Sequence, residues 1–140
     1  MKYWDASAVV SLVIGETRTA GLREMLTQDP EQVVWCLTEV EIASALARRE
    51  RESLANEAAD TARREISKLA SRWRPVTSVD PVRDRALRLV RTHPLRAADA
   101  LQLAAALVAS DERPEALPFV CLDDRLREAA RREGFAVLPA

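Results

Sequence analysis

Lys2-Tyr3-Trp4-Asp5-Ala6-Ser7 decides the fold of this 140-residue chain. A short strand over residues 2–5 ends on an aspartate. An apolar run, Ala6-Ser7-Ala8-Val9-Val10-Ser11-Leu12-Val13-Ile14, begins at once and stops at Gly15. The run is too long and too rich in small residues to continue the strand, so it reads as a buried helix. In an open α/β sheet, ligands sit just beyond the carboxyl ends of the central strands. An acid there, in front of a helix N-terminus, is placed to hold a cation or an activated water.

Outward from this unit, strands and helices alternate. Residues 17–28 form a helix with Leu22, Met25 and Leu26 on one face, stopped by Asp29-Pro30. Val33-Val34-Trp35-Cys36 is a strand. Thr38 caps a helix that runs to residue 52, and a second long helix covers residues 54–72. Its apolar positions Leu54, Ala58, Ala62, Ile66, Leu69 and Trp73 recur at helical spacing. The pair is an αα-hairpin with one solvated side. Residues 75–79 form a strand led by proline, hence an edge strand. Asp80-Pro81 starts the next helix as N-cap and first turn, and His93-Pro94 ends it. A helix over 96–110, a strand over 118–122, a helix over 123–133 closed by Gly134 and a strand over 135–138 complete the chain. This pattern gives an α/β fold: a central parallel sheet covered by helices on both faces, in a single domain over 1–140.

The composition, 48% hydrophobic and 31% charged, is that of an ordinary soluble globular protein. A chain of this length buries roughly 68–70% of its unfolded surface and needs no disulfide or structural metal. Its net charge of -1 gives no global electrostatic footprint for nucleic acid. Lys2 and Lys68 are the only lysines among the basic residues. Codon bias explains that plainly; the functional alternative is that arginine forks onto phosphate oxygens. Cys36 and Cys121 are expected as buried free thiols in inner strands, neither a zinc signature nor a disulfide framework. No charged-then-apolar leader and no bilayer-length apolar run is present, so the cytosol is the expected compartment.

Four acids, Asp5, Glu41, Asp99 and Asp123, are the candidate site. Each also has a plain structural explanation, because acids near helix N-termini are favourable by about 0.3–1 kcal/mol. Glu41 completes a Thr38-x-x-Glu41 capping box, and periodicity alone does not choose it over Glu39, which lies nearer the Ile42, Ala43, Leu46 and Ala47 face. Asp99 stands out. With Gln102 it alone breaks an otherwise apolar helix, and a buried carboxylate needs a partner or a metal. Asp123 comes first at a strand end and is assigned to the site, and Asp124 faces solvent or caps the helix. Two carboxylates ~4 Å apart repel by about 4 kcal/mol at an effective dielectric of 20, so several in one cleft need protons or a cation. An all-oxygen set selects Mg²⁺ or Mn²⁺ over zinc. His93 is the only histidine and there are only three glycines, so no Ser-His or Cys-His pair and no Gly-rich phosphate loop is available. Metal-activated water is the matching chemistry.

These residues resemble the PIN domain, specifically the VapC-type ribonuclease toxins of type II toxin–antitoxin systems. Asp5-Ala6-Ser7-Ala8 is similar to the family's opening Asp-x-Ser. Glu41-Ile42-Ala43-Ser44-Ala45-Leu46-Ala47-Arg48 resembles its Glu-bearing helix with an Ala-Leu-x-Arg stretch, and picks Glu41 over Glu39. Asp99-Ala100-Leu101-Gln102-Leu103-Ala104 is similar to its Asp-Ala-Leu-x-Leu-Ala segment, and Phe119-Val120-Cys121-Leu122-Asp123 to its final strand and acid. The family usually has Thr or Ser where Cys121 stands, which puts in question a hydroxyl contact there. The resemblance implies a three-layer α/β/α fold and a Mg²⁺- or Mn²⁺-dependent endoribonuclease acting on single-stranded or loop RNA. It also implies a homodimer and a small cognate antitoxin of the VapB type. Asp5 and Asp99 would be the main metal ligands, with Glu41 and Asp123 completing the site directly or through water. The rival reading is a catalytically silent PIN-like module that binds RNA or protein. A phosphoacceptor receiver domain fits less well, because Asp80 reads as a cap and no lysine lies beyond Lys68.

Overall fold

A computed structural model describes all residues, 1–140. The strands are β1 (Lys2–Trp4), β2 (Gln32–Trp35), β3 (Arg74–Val76), β4 (Phe119–Val120) and β5 (Val137–Leu138). They form one parallel sheet in the order β3-β2-β1-β4-β5. The expected edge position of the proline-bearing strand is met by β3, and β1 is central. The chain walks from β1 through β2 to β3, then crosses back to place β4 on the other side of β1. The carboxyl ends of β1 and β4 therefore flank the switch point where open sheets bind ligands.

Helices α1 (Ala6–Val13), α2 (Thr19–Gln28), α3 (Thr38–Glu52) and α4 (Asn56–Ala70) cover one face. The other face is covered by α5 (Val79–Thr92), α6 (Ala97–Ala109) and α7 (Asp124–Arg132). The pleat sorts the strand residues between two cores. Tyr3, Val33, Trp35, Phe119 and Val137 join α5, α6 and α7, and Tyr3 stacks on Phe119 with centroids 5.2 Å apart. Trp4, Val34 and Val120 join α1, Ile42 and Leu46 of α3, and Ala62 and Ile66 of α4. Tyr3 and Trp4 are both fully buried. Each removes roughly 150–250 Å² from water, an upper bound of about 4–6 kcal/mol per side chain. The three-layer α/β/α architecture and the αα-hairpin of α3 and α4 are thus as read from the sequence.

Several local readings are corrected. Helix α3 is capped by Leu37, and Thr38 is its first residue rather than its cap. Helix α5 starts at Val79 with Ser78 at the N-cap; Asp80 lies inside the first turn and pairs with Arg83 at 2.9 Å. Strand β4 is only two residues long. Cys36 lies just past β2 and is half-buried, whereas Cys121 is fully buried; both thiols are free. Gly134 follows α7 at φ +101°, a left-handed conformation that favours glycine, and a Cβ there would sit 3.1 Å from Pro114 Cγ. No helix is long and apolar enough to cross a membrane.

Candidate active site

Asp5, Glu41, Asp99 and Asp123 line one cleft of about 900 Å³ at the carboxyl end of the sheet. Asp5 ends β1 and caps α1, and is only 4% exposed. Its Oδ2 accepts from the Ser7 backbone N–H at 3.1 Å and from Ser7 Oγ at 2.5 Å. Ser7 Oγ in turn accepts from the Leu122 N–H at 3.0 Å. The opening Asp-x-Ser is therefore a strap: one hydroxyl ties the Asp5 carboxylate to the chain leaving β4. The Cys121 thiol lies beneath, its Sγ donating weakly to Asp5 Oδ2 over 3.5 Å. Burial pushes that thiol well above its ordinary pKa, with the Asp5 charge adding to the effect. It stays a neutral thiol at the position where the resemblance leads one to expect a hydroxyl.

Glu41 reaches the cleft from α3. It does not close a capping box. Gln102 of α6 donates from Nε2 to Glu41 Oε2 at 2.6 Å and to Thr38 Oγ1 at 3.0 Å. Helical geometry already points Glu41 away from the Ile42 and Leu46 face, and this contact, not packing on both sides of the hairpin, holds it at the cleft; Glu39 is exposed. Asp99 occupies the first turn of α6 and is half-buried at the mouth of the apolar helix rather than enclosed by it. Asp123 caps α7 with Oδ1 accepting from the Leu126 N–H at 2.9 Å, and Asp124 is exposed in the first turn. Capping and cleft-lining thus fall on the same acid.

Gln102 is the residue that reading the sequence for chemistry missed. The signal was present: it is the second polar break in α6, three residues after Asp99, hence on the same side of the helix one turn on. Four arginines, Arg48, Arg49, Arg96 and Arg125, share the rim of the cleft. Arg49 pairs loosely with Glu16 at 3.7 Å.

The acids pay electrostatically for their company. Burial raises the Asp5 pKa, and Asp99 raises it further against the hydrogen bonds from Ser7. Burial, then Asp5 and Asp99, push Glu41 up to about 7 despite the Gln102 hydrogen bond. Burial and Asp123 raise Asp99, while Arg96 and Arg125 oppose the shift. No three of these groups close into a ready ligating cluster. An acid whose folded pKa is raised stabilises the fold fully below its unfolded pKa and loses that stability as pH rises through the folded value. The Glu41 window therefore runs from about 4.5 to about 7. Thermal melts in EDTA should show Tm falling between pH 5 and pH 8, with a flatter slope in Glu41→Gln. A Tm that rises across this range, or an unchanged slope in the variant, contradicts this electrostatic picture.

The fold and these residues can be set beside known proteins. The PIN domain family model matches residues 2–132. The chain belongs to the PIN-domain family. Two curated relatives from Mycobacterium tuberculosis, Ribonuclease VapC45 (strain CDC 1551 / Oshkosh) and Ribonuclease VapC49 (strain ATCC 25618 / H37Rv), are each 35% identical to this PIN domain over 141 aligned residues. Each alignment covers 99% of this chain and 94% of the relative. The crystal structure of PAE2754 from Pyrobaculum aerophilum superposes with a TM-score of 0.68 at 22% identity, covering 99% of this chain and 90% of that one. At that identity the last comparison speaks for the fold. The VapC-type resemblance drawn from the four acid-bearing segments thus holds over essentially the whole chain.

Proposed function

We propose that this PIN domain is a divalent-metal-dependent endoribonuclease, the toxin of a type II toxin–antitoxin pair. The observation that carries the reading is the convergence of Asp5, Glu41, Asp99 and Asp123 on one cleft at the switch point of the sheet. The likeness to ribonucleases VapC across the full chain supports it. A small antitoxin of the VapB type and a second copy of this chain are the proposed protein partners.

The residues fit a hard cation. The acids supply only oxygen donors, as Mg²⁺ and Mn²⁺ require, and Asp5, Glu41 and Asp99 are all held above their ordinary pKa by burial and by a neighbouring acid of the cleft. A cation in the cleft would relieve both penalties. Asp5 and Asp99 would hold it, with Glu41 and Asp123 completing the set. When bound, it supplies Lewis-acid polarisation of the scissile phosphate and activation of the attacking water. The chain's own groups do the rest. Ser7 fixes the Asp5 carboxylate. Arg48 on one wall, with Arg96 and Arg125 on the other, offers guanidinium forks to phosphates flanking the cut. Single-stranded or loop RNA is the proposed substrate, because proteins read sequence mainly in unpaired RNA.

The test is incubation of the purified protein with a panel of structured RNAs, in Mn²⁺ or Mg²⁺ and in EDTA, beside Asp99→Asn. Discrete cleavage that requires metal and is lost in Asp99→Asn, with the melting transition retained, is the expected result. Cleavage at the wild-type rate in Asp99→Asn would remove that residue from the metal site. A protein that neither cuts nor binds metal would instead be a binding module.

A further inference from the structure

The Gln102 side chain is wholly buried in a helix whose other polar residue is Asp99, yet it satisfies three partners from two elements, β1 and α3. Tyr3 Oη of β1 donates to Gln102 Oε1 at 2.6 Å. Gln102 Nε2 donates to Thr38 Oγ1 at 3.0 Å and Glu41 Oε2 at 2.6 Å. The Glu41 carboxylate can only accept, which directs Nε2 toward it, and the two hydroxyls turn to match. Tyr3 cannot swing, because its ring is stacked on Phe119 in the core. The relay therefore transmits the rigidity of the central strand, through a helix on one face of the sheet, to a carboxylate carried by a helix on the other.

Packing alone does not call for an amide here. Leucine or methionine would fill the space with no polar group to satisfy, and a buried amide that loses a partner costs stability. The amide instead gives Glu41, the acid on the longest and most exposed support of the four, a fixed direction.

We propose that Gln102, held by Tyr3 and Thr38, is the positioning residue that aims the Glu41 carboxylate into the cleft for divalent-metal binding. This rests on the metal-site reading above. Partners of this kind, which orient a ligating group without touching the metal, typically change metal affinity by 10–100-fold. Carboxylates, main-chain carbonyls and waters often play this part. Here a glutamine anchored on a core tyrosine does so, from the same helix that carries Asp99.

The experiment is a double-mutant cycle read by Mn²⁺ calorimetry, with thermal melts alongside. Gln102→Met keeps the volume and removes the amide. In the wild-type background it should weaken Mn²⁺ binding by about tenfold; in a Glu41→Gln background it should have no further effect. A residue that merely supports the fold would weaken binding equally in both backgrounds. Tyr3→Phe is the milder variant should Gln102→Met fail to fold: it removes only the donor that orients the amide, and should weaken Mn²⁺ binding by about threefold. Wild-type affinity in folded Gln102→Met, or in Tyr3→Phe where that is the variant read, overturns this inference and leaves the metal site standing. An equal loss in both backgrounds also overturns it. No Mn²⁺ binding by the wild-type protein overturns the metal-site reading and this inference with it.

Discussion

Asp5→Asn should lose RNA cleavage by at least about 10³-fold and, without metal, should melt at a higher temperature than the wild type. Both effects come from one carboxylate. Lewis-acid stabilisation by a bound metal contributes several kcal/mol, and each 1.36 kcal/mol is tenfold in rate. Asp5 is the most enclosed of the four acids, so in the proposed metal site its loss would remove the ligand least replaceable by water. The same enclosure makes its charge costly in the metal-free protein, where burial and Asp99 both oppose ionisation. Asparagine is nearly isosteric. Its oxygen can still accept from Ser7 and cap α1, while its amide brings no charge. Relief of about 1 kcal/mol corresponds to roughly 3 °C in Tm for a chain of this size. Melts at pH 8 in EDTA and cleavage assays in Mn²⁺ measure the two sides. A variant that melts well below the wild type, or that still cuts, contradicts the assignment of Asp5.

Arg127→Met should cost about 3 kcal/mol and lower Tm by roughly 10 °C. Arg127 is a buried cation on α7 that faces backbone rather than an acid. Its guanidinium donates to Cys121 O at 2.6 Å, Pro139 O at 2.6 Å and, more weakly, Leu138 O at 3.4 Å. It joins the end of β4 to the chain leaving β5, directly behind the segment that presents Asp123. Methionine fills part of the volume but leaves Cys121 O and Pro139 O without this donor, each worth about 1–3 kcal/mol, while Leu138 O keeps the Cys121 N–H at 3.0 Å. Lysine should rescue little, because a point charge on a flexible stem cannot fork onto separated carbonyls. Urea unfolding of the three proteins decides it. A loss under 1 kcal/mol in Arg127→Met would show that the carbonyls find other donors.

What the sequence made legible follows from how local each determinant is. The strand Lys2–Trp4, the acid after it and the apolar helix Ala6–Val13 are contiguous, so hydrophobic pattern and chain order suffice. The same holds for α6, whose all-round apolarity announces a buried helix and makes Asp99 conspicuous. Two of the readings that changed turn on a partner far away in the chain. Thr38-x-x-Glu41 obeys the local capping rule, yet both side chains are taken by Gln102, more than sixty residues on. Helical periodicity could not choose Glu41 over Glu39 for the same reason: the group that selects Glu41 comes from α6. Asp80 stands beside a proline in the usual arrangement for a helix start, but the helix begins one residue before it, and the acid pairs with Arg83 instead. Asp123 and Asp124 looked like one cap and one site residue; a carboxylate has two oxygens, and Asp123 caps with one while lining the cleft.

Cys121 shows how a departure from a family pattern can be absorbed. Its thiol contacts Asp5 Oδ2 over 3.5 Å and Ser7 Oγ over 3.7 Å. The strong hydrogen bonds to Asp5 come from Ser7 instead. The acid is held without a hydroxyl at position 121, so the substitution leaves the four acids in place.

The most direct test of the central claim is calorimetric titration of the metal-free wild-type protein with Mn²⁺ at about pH 6.5, where Glu41, pushed up to about 7, still holds much of its proton. Saturable binding that displaces protons from the cleft is expected, so that the observed heat depends on the ionisation enthalpy of the buffer. Absence of binding at millimolar Mn²⁺ would contradict it, and would leave four converging acids with no cation to explain them.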